Sequence, residues 1–146
     1  MHTNKRLVAL LSVLLILGTL LAPITALAGK GKSRWYNETG HVMVPEGATD
    51  DTVLSVGPVS VTLFPGSLPE GGPVVLHVKW TDEGVFRADF HPDRAFDVPV
   101  LIDFGTAETV VYTSHGSTEV IVTEDLDGDG EVGEIYSDHF SRFSGW

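Results

Sequence analysis

The sequence predicts an all-β domain, an antiparallel sandwich or barrel, preceded by a cleavable signal helix. From residue 39 the chain consists of short runs of alternating apolar and polar residues at a spacing of about 8–12 residues. Turn residues separate these runs, and the chain as a whole contains 16 Gly and 8 Pro. No ten-residue stretch beyond the first 28 residues shows the 3.6-residue apolar repeat of a helix. These observations favour the β class.

The first 28 residues have the layout of a secretory signal peptide. Lys5 and Arg6 precede an apolar run over residues 7–21, and the small residues Ala26 and Ala28 mark a cleavage site. The run is about 15 residues long, shorter than the roughly 20 that cross a bilayer as a helix. We therefore expect cleavage after Ala28, secretion to the periplasm or the extracellular medium, and no membrane span in the processed chain.

The processed chain is long enough for one domain and is strongly acidic. Loss of Lys5 and Arg6 leaves seven Lys and Arg against 20 Asp and Glu. Such a surface repels phosphate backbones, which excludes nucleic acid as a partner. The absence of Cys excludes disulfides despite the oxidising destination. Three of the bases fall in residues 29–38, which we expect to be a mobile basic leader before a domain at residues 39–146.

Alternation of apolar and polar residues places the strands. The clearest strand is predicted at residues 74–80, where Val74, Leu76 and Val78 share one face while His77 and Lys79 share the other. The same reasoning predicts further strands at residues 41–44, 52–56, 59–64, 85–90, 98–104, 109–113, 119–123, 133–136 and 138–143.

Prolines and aromatic residues mark the irregular points between these strands. Three prolines in residues 65–73 exclude a central strand and predict a corner, beneath which Leu68 can be buried. Pro99 fits the start of an edge strand, where its missing N–H donor breaks no hydrogen bond between strands. Phe140 and Phe143 are three residues apart and would face opposite ways in a regular strand. Either a bulge re-aims one ring or one ring covers a sheet edge, and we expect both to be packing residues.

Five short segments of the chain form a recognisable series: residues 40–45 (GHVMVP), 61–70 (VTLFPGSLPE), 90–92 (FHP), 96–100 (FDVPV) and 138–143 (DHFSRF). In this order they resemble the ZU-five domains, a β-rich module of ankyrins, netrin receptors and bacterial secreted proteins. The fifth segment is similar to the closing strand of the bacterial members. The resemblance covers residues 39–146 and implies an immunoglobulin-like antiparallel β-sandwich that binds proteins. It implies no catalytic residues.

Residues 124–134, here called the acidic loop, are the sharpest candidate site. Six carboxylates lie within these eleven residues, with no Lys or Arg among them. Asp125, Asp127 and Asp129, followed by Gly130, match the first half of an EF-hand calcium loop, in which alternate side chains supply oxygen ligands. The pattern therefore suggests Ca²⁺ as a cofactor.

The second half of the EF-hand pattern is missing. The twelfth position is Tyr136 rather than a bidentate Glu, and no helix is expected on either side. Glu131 or Glu134 can substitute for that Glu. The candidate metal ligands are therefore Asp125, Asp127, Asp129, Glu131 and Glu134. The alternative is a hairpin tip with solvated carboxylates, because Asp-Gly pairs favour turns.

No motif indicates catalysis. The histidines after the signal peptide have no metal-ligand spacing: His41, His77, His91, His115 and His139. Alternation along a strand should point Asp138 away from His139 and Ser141, so that no relay forms. We expect a non-enzymatic exported module with a protein-binding or structural role, whose partner is a protein or cell-surface component. Two alternatives stay open: a calcium-binding adhesion or scaffold domain, and a small secreted hydrolase.

Overall fold

The computed structural model of the protein describes residues 32–146, and the signal peptide expected at residues 1–28 lies outside the described residues. Ten strands follow one another along this part of the chain: β1 (Trp35–Val44), β2 (Thr52–Val56), β3 (Val59–Leu63), β4 (Gly72–Thr81), β5 (Phe86–His91), β6 (Ala95–Asp103), β7 (Thr109–Ser114), β8 (Ser117–Val122), β9 (Glu134–His139) and β10 (Arg142–Gly145). No helix within residues 32–146 has the length and apolar character needed to cross a membrane.

The strands form two antiparallel sheets that enclose one apolar core. The six-stranded sheet has the order β1-β4-β5-β10-β7-β8, and the four-stranded sheet has the order β2-β3-β6-β9. Buried side chains of both sheets belong to the same core cluster. The predicted all-β sandwich is therefore confirmed.

Alternation along the strands supplies this core. In β4, Val74, Leu76 and Val78 are completely buried, whereas His77 and Lys79 lie on the other face of the sheet. Burying an aliphatic or aromatic side chain of this size contributes about 1.5–3 kcal/mol, and a chain without cysteine depends on that contribution. The other large side chains with almost no exposed surface are Val59, Val61, Leu63, Phe90, Val100, Ile102, Val110, Phe140 and Phe143.

The chain crosses from one sheet to the other between β9 and β10, and this crossing explains the spacing of Phe140 and Phe143. β9 ends at His139 in the four-stranded sheet, and β10 begins at Arg142 in the six-stranded sheet. The ring of Phe90 lies 4.9 Å from that of Phe140 and 5.9 Å from that of Phe143, between ring centroids. Both are packing residues, as expected. A break between two strands, rather than a bulge within one, re-aims the second ring.

The first strand begins earlier than the sequence predicted. Residues 35–38, expected in a mobile leader, belong to β1 and pair with residues 78–81 of β4. The ring of Tyr36 stacks on that of Trp80, with centroids 5.5 Å apart. Trp35 and Tyr36 lie between the polar residues 32–34 and 37–38, so the sequence shows no alternation here that would indicate a strand. The order of Tyr36 comes from the β4 strand beside it, a contact that local alternation does not reveal.

Pro99 lies in a central strand rather than at an edge. β6 is flanked by β3 and β9, but β3 pairs only with residues 101–103 of it. The register between β6 and β9 shifts between Ala95 and Val100. Pro99 lies within this irregular segment, so its missing N–H donor breaks no hydrogen bond between strands. A bulge in a central strand therefore accommodates proline as an edge strand would.

Candidate metal centre in the acidic loop

The acidic loop connects β8 to β9 and is closed at its base. The N–H groups of Glu124 and Glu134 each donate to the carbonyl oxygen of the other residue, at 3.1 Å. Immediately before the loop, the buried Thr123 hydroxyl donates to the carbonyl oxygen of Ala107. Both contacts tie the ends of the loop to the sandwich, so the carboxylates between them are presented from a fixed base.

Position 133 requires glycine because the loop here contacts backbone directly. A Cβ atom at Gly133 would lie 1.7 Å from the carbonyl oxygen of Gly105. The carbonyl oxygen of Gly133 also accepts a hydrogen bond from the N–H of Phe104, at 2.9 Å. Main-chain atoms cannot move aside as a flexible side chain can. The close approach therefore fixes the position of the next residue, Glu134.

Glu134 is the only charged side chain that is buried in the described part of the chain, with 5% of its surface exposed. It occupies the first position of β9, on the outer face of the four-stranded sheet, opposite Asp103 of β6. The acidic loop covers it there. Oε2 of Glu134 accepts hydrogen bonds from the N–H groups of Leu126 and Asp127, at 2.6 and 2.9 Å. These donors partly replace the water that the carboxylate has lost.

The environment of Glu134 opposes its charge. Burial raises the pKa of Glu134 above its usual value, and the carboxylates of Asp127 and Asp103 raise it further. The N–H groups of Leu126 and Asp127 act in the opposite direction without cancelling the increase. A cation placed beside Glu134 would relieve this electrostatic cost.

Backbone N–H groups also orient the other carboxylates of the loop. Oδ1 and Oδ2 of Asp125 accept hydrogen bonds from Gly128 and Gly130, at 2.8 and 3.1 Å. Both glycines have positive φ, 82° and 93°, a conformation that side chains disfavour. Oδ1 of Asp127 accepts the N–H of Asp129 at 3.0 Å. The loop thus holds its side chains by local hydrogen bonds of the kind found in Asx turns.

Three carboxylates converge on one point. Asp125, Asp127 and Glu134 each offer an oxygen, and these three oxygens lie within 4.8 Å of one another. Because Ca²⁺ binds oxygen at 2.3–2.6 Å, two oxygens on one ion lie at most about 5 Å apart. The separation therefore suits a single divalent cation.

Two of the five predicted ligands lie outside this group. Asp129 and Glu131 are exposed, and Oδ1 of Asp129 accepts the N–H of Glu131 at 2.8 Å. Tyr136, at the twelfth position of the EF-hand pattern, lies on β9 with 55% of its surface exposed. The closing carboxylate is Glu134. The sequence named it as one of two substitutes, but only the folded loop distinguishes it from Glu131.

The histidines occupy separate places, and one contact corrects a sequence-based expectation. Nδ1 of His139 contacts Oδ1 of Asp138, and Nε2 of His139 contacts the Tyr112 hydroxyl. This hydrogen bond to His139 lowers the pKa of Asp138. The two side chains were expected to point apart, but β9 ends at His139 and its alternation ends there as well. Ser141 takes no part in this chain of contacts, since its hydroxyl donates to the Thr113 carbonyl oxygen at 2.8 Å.

No family model, curated protein or solved structure matches this chain. The chemistry of the acidic loop is therefore argued from its own residues. A donor set of carboxylate oxygens suits Ca²⁺ or Mg²⁺, whereas Zn²⁺ and Cu²⁺ favour nitrogen or sulfur ligands. Three protein oxygens are fewer than the six to eight that Ca²⁺ takes, so water would complete the shell and the affinity should be weak.

The charge of Glu134 should lower stability at neutral pH when divalent cations are absent. Glu134→Gln removes that charge and keeps an oxygen for the two N–H donors. Because the folded-state pKa is raised, the native state binds a proton more readily than the unfolded chain, and wild-type stability falls as pH rises from about 4.3 through the folded value. We expect the variant to be more stable than wild type at pH 7 and equally stable below about pH 4, measured by urea denaturation.

The matched control is Glu124→Gln, which removes the same charge from an exposed side chain of the same loop. It should change stability less than Glu134→Gln at pH 7. An equal effect of the two substitutions, or a Glu134→Gln effect that is the same at both pH values, would contradict the role assigned to burial.

Proposed function

We propose that this protein is an exported, non-enzymatic β-sandwich module that binds a protein partner at or outside the cell surface. The observation that carries the proposal is an apolar stripe across the outer face of the four-stranded sheet, here called the docking stripe and made of Val53, Thr62, Leu101 and Tyr136. The resemblance to ZU-five domains, which implies protein binding, agrees with it.

The docking stripe is continuous because its members are direct partners on neighbouring strands. Val53 pairs with Thr62, Thr62 with Leu101, and Leu101 with Tyr136. Val53 is 56% exposed and Tyr136 55% exposed, while Leu101 between them is half-buried. Residues paired in this way have side chains about 5 Å apart on one face. The stripe therefore extends over all four strands.

A row of valine, threonine, leucine and tyrosine, exposed at both ends and half-buried between them, has the character of a protein-binding surface. The ring of Phe64 adds to that end, with its centroid 6.4 Å from that of Tyr136. Aromatic side chains are enriched in the centres of protein interfaces, where they bury a large area at low cost in side-chain entropy. The acidic side chains around the stripe would supply the polar rim that keeps the free protein soluble.

The stripe can be tested with a pair of substitutions. Val53→Ser combined with Tyr136→Ser should reduce binding to the envelope fraction of the source cells by about tenfold or more, because buried aromatic contacts dominate interface energies. Co-sedimentation measures the binding, and far-ultraviolet circular dichroism verifies the fold. Protease treatment of the envelope should lower the binding of wild type to the level of this paired variant.

Val120→Ser combined with Trp146→Ser is the control, because it also replaces one exposed valine and one exposed aromatic residue, at positions away from the stripe. Its binding should equal that of wild type. Equal binding by both paired variants, or undiminished binding to protease-treated envelope, would overturn the proposal.

Calcium binding by the acidic loop is a second candidate function, favoured by the convergence of Asp125, Asp127 and Glu134. Glu134 and Tyr136 are two residues apart on the outer face of β9. A cation at the loop would therefore lie beside the docking stripe and would steady the end of the strand that carries it. The two functions thus support one another in a calcium-dependent adhesion or scaffold domain.

Calcium should stabilise the folded protein. At 10 mM Ca²⁺ and a dissociation constant in the usual extracellular range, the gain is about 1–3 kcal/mol over a solution with chelator. Thermal denaturation with and without Ca²⁺ measures the gain as a rise in Tm. Asp125→Asn combined with Asp127→Asn should abolish the rise.

The control for this experiment is Asp50→Asn combined with Asp51→Asn, which removes two exposed carboxylates from the β1–β2 connection. It should retain the full calcium response. A wild-type protein without a response, or a response that both paired variants retain, would refute the calcium site.

A further inference from the structure

The outer face of the six-stranded sheet is basic, although the domain as a whole is acidic. Lys79, Arg87 and Arg142 occupy outward positions on β4, β5 and β10, which are adjacent strands. Among the carboxylates carried by the six strands, only Asp89 shares this face, because the others alternate to the inner side. Three cations on these strands therefore face one strand carboxylate, and a second carboxylate, that of Asp82 in the β4–β5 turn, contacts Tyr36 at one end of the face.

Asp89 orients two of these cations without neutralising the face. Oδ2 of Asp89 accepts a hydrogen bond from Nε of Arg87 at 3.2 Å, and Oδ1 accepts one from Nε of Arg142. The two arginine side chains remain 46% and 49% exposed. Since both contacts use Nε, the Nη groups of each guanidinium remain for a further acceptor.

A groove with a volume of about 410 Å³ lies at one end of this basic face. Trp35, Tyr36, Asn37, Lys79 and Arg87 line it. Lys79 is the direct cross-strand partner of both Asn37 and Arg87, which places the amide and the two cations in one row about 5 Å apart. Trp35 borders the row and is 58% exposed.

This combination of groups complements a sugar ring that carries an acid. The C–H face of a sugar can pack on the indole of Trp35. Its hydroxyls can accept from Nδ2 of Asn37, whose Oδ1 contacts Nε2 of His77. A carboxylate or sulfate on the ring would form charge-assisted hydrogen bonds with Lys79 and Arg87. We infer that the outer face of the six-stranded sheet binds an acidic polysaccharide, at a site separate from the docking stripe.

Other polyanions fit this face less well. The centres of protein interfaces are depleted in lysine, yet Lys79 lies in this groove between Asn37 and Arg87. A polysaccharide chain places an acid on successive rings and needs only a shallow, cationic surface with hydroxyl-bonding groups. Its negative charge complements the cations of this face.

The inference can be tested by measuring the equilibrium binding of three polymers to protein produced from the whole 146-residue sequence. The polymers are polygalacturonate, neutral dextran and poly-L-glutamate. Polygalacturonate should bind at least about tenfold more tightly than either of the others, and added NaCl should weaken it. Lys79→Glu should lower that affinity about tenfold or more. Arg94→Glu is the control, since it makes the same charge change in the β5–β6 connection, and it should leave the affinity within about twofold of wild type.

A second pair of variants separates sugar recognition from charge alone. Trp35→Ala should weaken polygalacturonate binding, and Trp146→Ala, which removes another exposed indole away from the groove, should not. Equal affinity for poly-L-glutamate, an unaffected Trp35→Ala variant, or equal losses in Lys79→Glu and Arg94→Glu would each overturn the inference. These results leave the docking stripe untouched, because the stripe is tested with other variants and by the protease-sensitive part of envelope binding.

Discussion

The burial of one carboxylate, that of Glu134, is the constraint around which the surface of this sandwich is arranged. Alternation along the strands is enough to form the apolar layer between the sheets. A buried charged group on the outer face of β9 needs, in addition, a covering segment and hydrogen-bond donors. The acidic loop does both, since its N–H groups at Leu126 and Asp127 bind the carboxylate. The contact between Gly133 and Gly105 then fixes where the covering segment can lie.

Because the core is built from inner-face side chains of both sheets, the two outer faces are free to differ in chemistry. The four-stranded sheet presents the docking stripe, and the acidic loop closes one end of it. The six-stranded sheet presents Lys79, Arg87 and Arg142 around Asp89. The proposed protein partner and the inferred polysaccharide would thus bind on opposite sides of the domain, and a module of this kind could link the two.

Local patterns predict the parts of this fold that depend on alternation, and they fail where distant strands meet. The burial of Val74, Leu76 and Val78 follows from their spacing in the sequence. The burial of Leu68 follows from the proline-rich corner in which it lies. The pairing of residues 35–38 with β4 depends on a partner forty residues away, so the start of β1 was placed too late. The docking stripe likewise comes from four separate strands, and its continuity exists only in the register.

The acidic loop shows the same division, since its composition indicates a cation site but only the fold selects Glu134 over Glu131. Glu134 is a buried carboxylate whose charge the fold disfavours, and the proposed cation would relieve that cost. Carbon-13 NMR of the Glu134 side-chain carboxyl during a pH titration would test this. The expected midpoint lies above the ordinary glutamate value of about 4.3 without divalent cations and is lower when Ca²⁺ is added. A midpoint at or below the ordinary value that does not respond to Ca²⁺ would contradict it.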